Sequence, residues 1–356
     1  MKLSDAPKRF LPAVATMSLG AAHLHPLDKK LAAAASRGFL GVELYWEDLA
    51  AYSALLGGGG GMLAAAGAVS ELCARLGLRV VSLQPFRDAD GVASPRLREA
   101  LLAEFREWLA VAGALGTRII GVVPATLPPP RGLLPADCGA GAGEAAAAAL
   151  LLRDLAALAR PLGIRVAYEN LCFAAHVREW EQAWERIQLA RADNLVFLPD
   201  TFNLCGGAYM DPEHPSGRRD GGDALLGQKL RGLADTVPPA SMPLLQVADA
   251  EWQPVPLTAD HPWRRDTGFA PLMALSRNAR QFPFERGGYL PVLSVVEAVV
   301  AAGWSGWVSM EIFSRTTAKA GDDTIREHAD RAWRSWVKLA KRMGWNTRPK
   351  LLPGDD

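Results

Sequence analysis

The sequence predicts an α/β fold closed into a TIM-type (β/α)₈ barrel. Short apolar runs alternate with longer Ala- and Leu-rich segments, and the alternation repeats eight times. Glycines fall where the helices must end.

The eight runs are 14–19, 41–45, 79–86, 118–123, 165–171, 195–202, 244–248 and 306–313. Most are nearly continuous in apolar or β-branched residues, as parallel strands covered on both faces must be. Between them, 27–36, 62–76, 95–115, 143–162, 177–190, 224–234 and 291–302 carry helix formers with apolar residues three and four apart. Gly38, Gly77, Gly116, Gly163 and Gly303 stand just before a following run, where a left-handed residue stops a helix. Eight units favour a closed barrel; an open doubly wound sheet is the alternative. Neither GxGxxG after the first run nor GxxxxGK[ST] is present, so the usual nucleotide signatures of the open fold are missing.

The 356 residues suit one barrel domain over 1–356, with insertions near 57–61, 126–143 and 251–288. The first is a glycine run and the second is rich in Pro, Gly and Ala; both read as surface loops. The third follows the seventh run and is rich in Pro, Trp and Arg. It would overhang the catalytic face as a lid or substrate-binding wall. Hydrophobic residues make up 49% and charged residues 22%, which excludes a disordered chain. A net charge of +1 leaves no footprint for nucleic acid or an anionic membrane. No apolar run reaches membrane-spanning length, and MKLSDAPKRFLP lacks the apolar core of a signal peptide. Cys73, Cys138, Cys172 and Cys205 form no CxxC pair and read as reduced thiols of a cytoplasmic enzyme. The expected partner is a small-molecule substrate, with homo-oligomerisation left open. Trp180, Trp184, Trp333 and Trp336 occur at helical spacing and read as core.

Barrel active sites use residues at the C-terminal ends of strands. The last four runs each offer one polar side chain there. They are Glu169 in RVAYENL, Asp200 in VFLPDTFN, Gln246 in LLQVADAE and Glu311 in GWVSMEIFSR. An ionised carboxylate inside an apolar run is costly unless paired or metal-bound, and three from neighbouring strands repel one another. A divalent cation resolves both difficulties, and oxygen-only ligation suits Mg²⁺ or Mn²⁺ better than Zn²⁺. Any one of these residues alone is more often a salt-bridge partner or a helix cap. The repetition on four successive runs is what points to a ligand set.

The surrounding words carry a resemblance. They are ATMSLG at 15–20, GVELYWEDL at 41–49, SLQPF at 82–86, AYEN at 167–170 and WEQAWE at 180–185. PDTFN at 199–203, LQVADAE at 245–251, SRN at 276–278, GGYLPV at 287–292 and GWVSMEIF at 306–313 continue the series over almost the whole chain. In this order they resemble the fungal-type 3-dehydroshikimate dehydratases of the xylose-isomerase-like TIM barrels. The Glu–Asp–Gln–Glu order is similar to that superfamily's metal site, with Gln where many relatives carry His. The resemblance implies a hydro-lyase of quinate catabolism that converts 3-dehydroshikimate to protocatechuate through a metal-stabilised enolate. It implies Glu169, Asp200, Gln246 and Glu311 as ligands of one Mg²⁺ or Mn²⁺, with Co²⁺ a further option. Either Glu169 or Glu311 could double as acid or base.

His176, just past the fifth run, is the best histidine candidate for proton transfer, against a plain surface role. Arg87 and Arg277 are candidates for a bidentate grip on the substrate carboxylate, against ordinary salt bridges. Asn203 could hydrogen-bond a substrate hydroxyl, and Ser276 stands beside Arg277 in the SRN word. His25 and Glu43 could line the pocket, although packing at the core edge is their commoner role. The chain also departs from the family pattern. The loop after QPF reads RDADG where relatives carry a more aromatic segment, and Asn203 stands where some bacterial relatives carry His. Three rival readings remain: a divalent-metal ketose isomerase or epimerase, a nuclease of the endonuclease IV kind, and a barrel that has lost catalysis. The nuclease would need a His-rich cluster and a basic face, which six scattered His and a balanced charge do not offer.

Overall fold

The computed structural model describes residues 8–57, 61–89, 94–126, 145–352 and 355. Most of the expected loops at 57–61 and 126–143, and Cys138 with them, lie outside the described residues. The described strands are β1 (Phe10–Ala15), β2 (Gly41–Tyr45), β3 (Arg79–Phe86), β4 (Ile119–Val122), β5 (Arg165–Tyr168), β6 (Leu195–Phe197), β7 (Leu244–Val247), β8 (Asp249–Ala250), β9 (Arg280–Gln281) and β10 (Gly306–Met310). Eight of them form a parallel sheet in the order β6-β5-β4-β3-β2-β1-β10-β7, while β8 and β9 pair antiparallel. The two ends of the sheet meet at one parallel bridge, Asp200 with Gln246. There the Gln246 amide donates to the Pro199 carbonyl at 3.0 Å. Thr201 reinforces this seam. Its hydroxyl donates to the Ala248 carbonyl at 2.7 Å and accepts from the Ala248 amide at 2.9 Å.

Helices alternate with the strands: α1 (Leu27–Arg37), α2 (Trp46–Leu55), α3 (Gly61–Leu76), α4 (Pro95–Leu115), α5 (Ala145–Ala159), α6 (Trp180–Ala190), α7 (Thr201–Tyr209), α8 (Gly222–Thr236), α9 (Pro262–Arg265), α10 (Pro271–Ala279), α11 (Val292–Ala301) and α12 (Asp322–Met343). The five expected glycine stops all hold positive φ. Trp180 and Trp336 are buried, and Trp184 and Trp333 pack partly buried against the core, as their spacing predicts.

Inside the barrel, Leu11, Ala13, Val81, Ile119, Ala167, Val196, Leu198, Leu244 and Trp307 form an apolar cluster apart from the strand–helix core. This floor requires a glycine at position 41. A Cβ on Gly41 would come within 2.5 Å of Val81 Cγ2 and 2.7 Å of Trp307 Cζ3. Side chains on one strand face share a period of two, so the next inward layer is already set. Glu43, Gln246 and Ser309 stand two residues beyond Gly41, Leu244 and Trp307.

Several expected boundaries move. The first run, 14–19, is strand only to Ala15, and Thr16–Leu19 turns into a 3₁₀ helix. Its hydroxyls explain why. Thr16 Oγ1 accepts the Tyr45 amide at 3.0 Å, and Ser18 Oγ accepts the Ile312 amide at 2.7 Å, which ends the ladder locally. The runs 165–171, 195–202 and 306–313 also stop early, leaving Glu169, Asp200 and Glu311 beyond the ends of their strands. The segment 251–288 is more ordered than its composition suggests. It contains α9, α10 and β9, and β9 folds back onto β8.

Candidate active site

Four acidic side chains converge at the C-terminal mouth of the barrel. Glu43 comes from β2, Glu169 follows β5, Asp200 precedes α7 and Glu311 follows β10; all are buried. Gln246 on β7 joins two of them. Its Nε2 lies 3.1 Å from Glu311 Oε1, and 3.3 and 3.2 Å from Glu43 Oε1 and Oε2. The amide turns its NH₂ toward these carboxylate oxygens. Gln246 Oε1 is then left buried without a donor. Gln84 Nε2 donates to Glu311 Oε1 at 2.8 Å, and Ser82 Oγ to Glu43 Oε2 at 2.8 Å.

Asp200 caps α7. Its Oδ1 accepts the Asn203 amide at 2.8 Å, at a helix N-terminus that favours negative charge. Its Oδ2 receives Arg280 Nη1 at 2.7 Å, and the same nitrogen lies 3.2 Å from Glu311 Oε2. Arg280 is buried, lies 4.3 Å over the Phe202 ring, and donates from Nε to Ser276 Oγ at 3.1 Å.

Burial lifts Glu43 and Glu169 above the usual carboxylate range, and Asp200 and Glu311 push Glu169 further the same way. Burial pushes Glu311 up to about 8, against the pull of Arg280. Burial alone would lower Arg280, but attraction to Asp200, Glu311 and Glu169 outweighs it and holds it raised. A single guanidinium among these carboxylates leaves negative charge in a buried place. Protons or a second cation must make up the difference.

The acids open onto a cavity whose wall includes Glu169, Glu311, Tyr45, Arg87, Arg277 and Phe313. Glu169 and Glu311 face it, while Asp200 and Gln246 are fully buried and outside its wall. In the same wall, Arg277 lies 4.9 Å from the Phe313 ring and 5.8 Å from Phe173. Arg87 donates to the Tyr45 hydroxyl at 2.7 Å and pairs with Glu47 at 2.7 Å. One cavity therefore carries both carboxylates and guanidinium groups in its wall.

The four expected ligand candidates are brought together, and Ser276, Arg277 and Arg87 reach the cavity wall. Asn203 sits beneath Glu169 rather than in that wall. Its Nδ2 donates to Glu169 Oε1 at 2.6 Å, and its Oδ1 accepts the Cys172 amide at 3.1 Å. His176 is half-buried in the turn after β5, outside the wall. His25 is buried and bonds the Ala21 carbonyl at 3.3 Å. Sequence reasoning missed Arg280, Gln84 and Tyr45. Gln84 and Tyr45 were detectable, because they stand at the ends of β3 and β2 as Gln246 does on β7.

Among the described residues, no three His, Cys, Asp or Glu side chains form a ready metal cluster; Arg280 Nη1 stands between Asp200 and Glu311. The chemistry of the donors still fits a hard divalent cation. All are oxygens, the carboxylates outnumber their cation, and the Gln246 oxygen lacks a partner.

Residues 31–336 match the family model described as a xylose isomerase-like TIM barrel. A Neurospora crassa protein named 3-dehydroshikimate dehydratase is 35% identical over 345 residues, spanning 93% of this chain and 94% of that protein. A Pseudomonas aeruginosa protein of the same name is 32% identical over 302 residues, spanning 85% of this chain but only 38% of that protein. Among solved structures, a xylose isomerase-like TIM barrel/4-hydroxyphenylpyruvate dioxygenase fusion protein superposes with a TM-score of 0.68 at 25% identity, over 97% of this chain and 45% of that one. The chain belongs to the xylose isomerase-like TIM-barrel family and, within it, to the family of the 3-dehydroshikimate dehydratases.

Proposed function

We propose that this chain is a divalent-metal-dependent hydro-lyase that dehydrates 3-dehydroshikimate to protocatechuate. A cavity wall that combines buried glutamates with Arg277 and Arg87 carries this reading, because the substrate is a ring with both a carboxylate and a ketone. Arg277 and Arg87 suit the carboxylate. The buried oxygens suit the ketone end. Family membership supports the same substrate.

Glu169, Asp200, Gln246 through its Oε1, and Glu311 would hold the ion, with Mg²⁺ or Mn²⁺ favoured by an all-oxygen set and Co²⁺ a further option. When bound, such an ion polarises the ketone and makes a nearby C–H acidic. Glu169 and Glu311 face the cavity, so one of them takes that proton. A protonated carboxyl then gives a proton to the departing hydroxyl. One hydrogen and one hydroxyl leave as water, and the remaining ring tautomerises to the aromatic acid. Burial pushes Glu311 up to about 8, which suits it to hold and release a proton near neutrality, and shifts Glu169 in the same direction. Asn203 fixes the Glu169 carboxylate, and Phe173 and Phe313 give the cavity wall apolar ring faces. His176 lies outside the cavity wall, so proton transfer is assigned to the glutamates.

The test uses Mn²⁺-loaded protein and 3-dehydroshikimate. Aromatic absorbance should grow near neutral pH and stop on chelation. Turnover of a ketohexose with dehydroshikimate left untouched would replace this reading with an isomerase or epimerase.

A further inference from the structure

We infer that Glu43 is a positioning residue that sets the Gln246 amide oxygen-first toward the ion; this rests on the metal reading above. A glutamine has two nearly isosteric ends of opposite character, and only its oxygen can ligate a cation. Something must therefore choose between two orientations half a turn apart. Glu311 alone is a poor selector, since it accepts from Gln84 as well and is itself a proposed ligand. Glu43 is better placed. It lies on β2, outside the proposed ligand set, and both its oxygens face Gln246 Nε2 at 3.3 and 3.2 Å. Ser82 Oγ fixes Oε2 at 2.8 Å, and Glu43 is fully buried, so it has little freedom to turn away. With the ion bound and Glu43 ionised, a flipped amide would set its oxygen against the carboxylate oxygens, acceptor against acceptor. The orientation that satisfies Glu43 is also the one that leaves Gln246 Oε1 without a donor. The orphaned oxygen and the Glu43 contact are two sides of one arrangement. Such outer partners commonly tune metal affinity tenfold to a hundredfold.

The experiment measures Mn²⁺ affinity, from the free-ion electron paramagnetic resonance signal, for the full chain and the variants Glu43→Gln, Gln246→Glu and their double. Glu43→Gln offers both a donor and an acceptor, so it removes the bias; binding should weaken roughly tenfold to a hundredfold. In the Gln246→Glu background both ends are oxygens, no orientation needs setting, and Glu43 only adds like charge. There Glu43→Gln should strengthen binding. Simple structural damage would weaken binding in both backgrounds, and that result overturns the inference, as does unchanged affinity in the single variant. If Glu43→Gln fails to fold, Ser82→Ala is measured instead. A loss of about threefold or more, confined to the Gln246 background, supports the inference, and no loss overturns it. A wild-type chain that binds no Mn²⁺ at all removes the metal reading and this inference together, whereas binding untouched by Glu43→Gln removes this inference alone.

Discussion

The floor and the mouth of the barrel are built from the same strands, one side-chain layer apart. Leu244 and Trp307 close the floor, and Gln246 and Ser309 stand one inward step further along. At the floor apolar side chains pack against one another, and Gly41 yields space so that Trp307 fits. At the mouth the carboxylates crowd, burial raises Glu43, Glu169 and Glu311, and the Gln246 oxygen lacks a donor. Stability is concentrated in one layer and reactivity in the next. A two-residue step along a strand is enough to change the physics, because period-two alternation keeps both layers pointing inward.

The largest expected effect separates the layers. Asp200→Asn and Glu311→Gln should each cost roughly a thousandfold or more in kcat/KM, about 4 kcal/mol of transition-state stabilisation. The metal-free Glu311→Gln variant should melt no lower than the parent, since burial already pushes that carboxyl toward its neutral form, whereas Asp200→Asn breaks a buried pair with Arg280 and should melt lower. Trp307→Ala should do the reverse. It should lose roughly 3–5 kcal/mol of stability in urea titrations while activity per folded molecule survives. A folded Trp307→Ala protein without turnover would show that the two layers are not separable. Next in size, Arg277→Met should raise KM about tenfold to a hundredfold, the worth of a charge-assisted hydrogen bond, and leave Mn²⁺ affinity unchanged. Arg277→Lys should recover little, because an ammonium cannot reproduce the planar fork.

The four ligand candidates were legible because each is a polar residue within or beside an apolar run, a pattern visible in one dimension. Arg280 was not. It reaches Asp200 only after β9 folds back onto β8, pairing Ala250 with Arg280, and no local periodicity announces that contact. Asn203 reads in the sequence as a candidate for a substrate hydroxyl, and the turn into α7 sets its amide on Glu169, a contact that no local pattern announces. The 3₁₀ turn at Thr16–Leu19 was hidden for a similar reason, since its hydroxyls answer backbone groups from β2 and from beyond β10. Elements followed from patterning; partners distant in sequence did not.

A smaller effect concerns pH. A free Glu titrates at about 4.3, whereas Glu311 in the metal-free fold stands at about 8, and Glu43 and Glu169 shift in the same direction. Between these values the folded state holds protons that the unfolded chain releases. Metal-free stability should therefore be greatest below the unfolded value and fall as pH rises toward about 8. Urea midpoints from pH 5 to 8 should decline. Saturating Mn²⁺ should flatten or reverse the slope, because its ligands must be deprotonated. A metal-free midpoint that climbs over this range would mean the mouth is not short of positive charge.

The smallest expected effect lies at the seam between β6 and β7, which joins the two layers. One bridge, Asp200 with Gln246, closes the sheet there, and Thr201 supplies two further hydrogen bonds to Ala248. Thr201→Val keeps the shape but strands the buried amide and carbonyl of Ala248, at about 1–3 kcal/mol. The loss should be local. Amide exchange should quicken at Gln246 and Ala248 and stay slow at Leu244 and Trp307, where the apolar cluster holds the strands. Mn²⁺ affinity should fall modestly, because two proposed ligands flank the loosened bridge. Equal acceleration at the floor would mean that the seam, rather than the apolar plug, keeps the barrel closed.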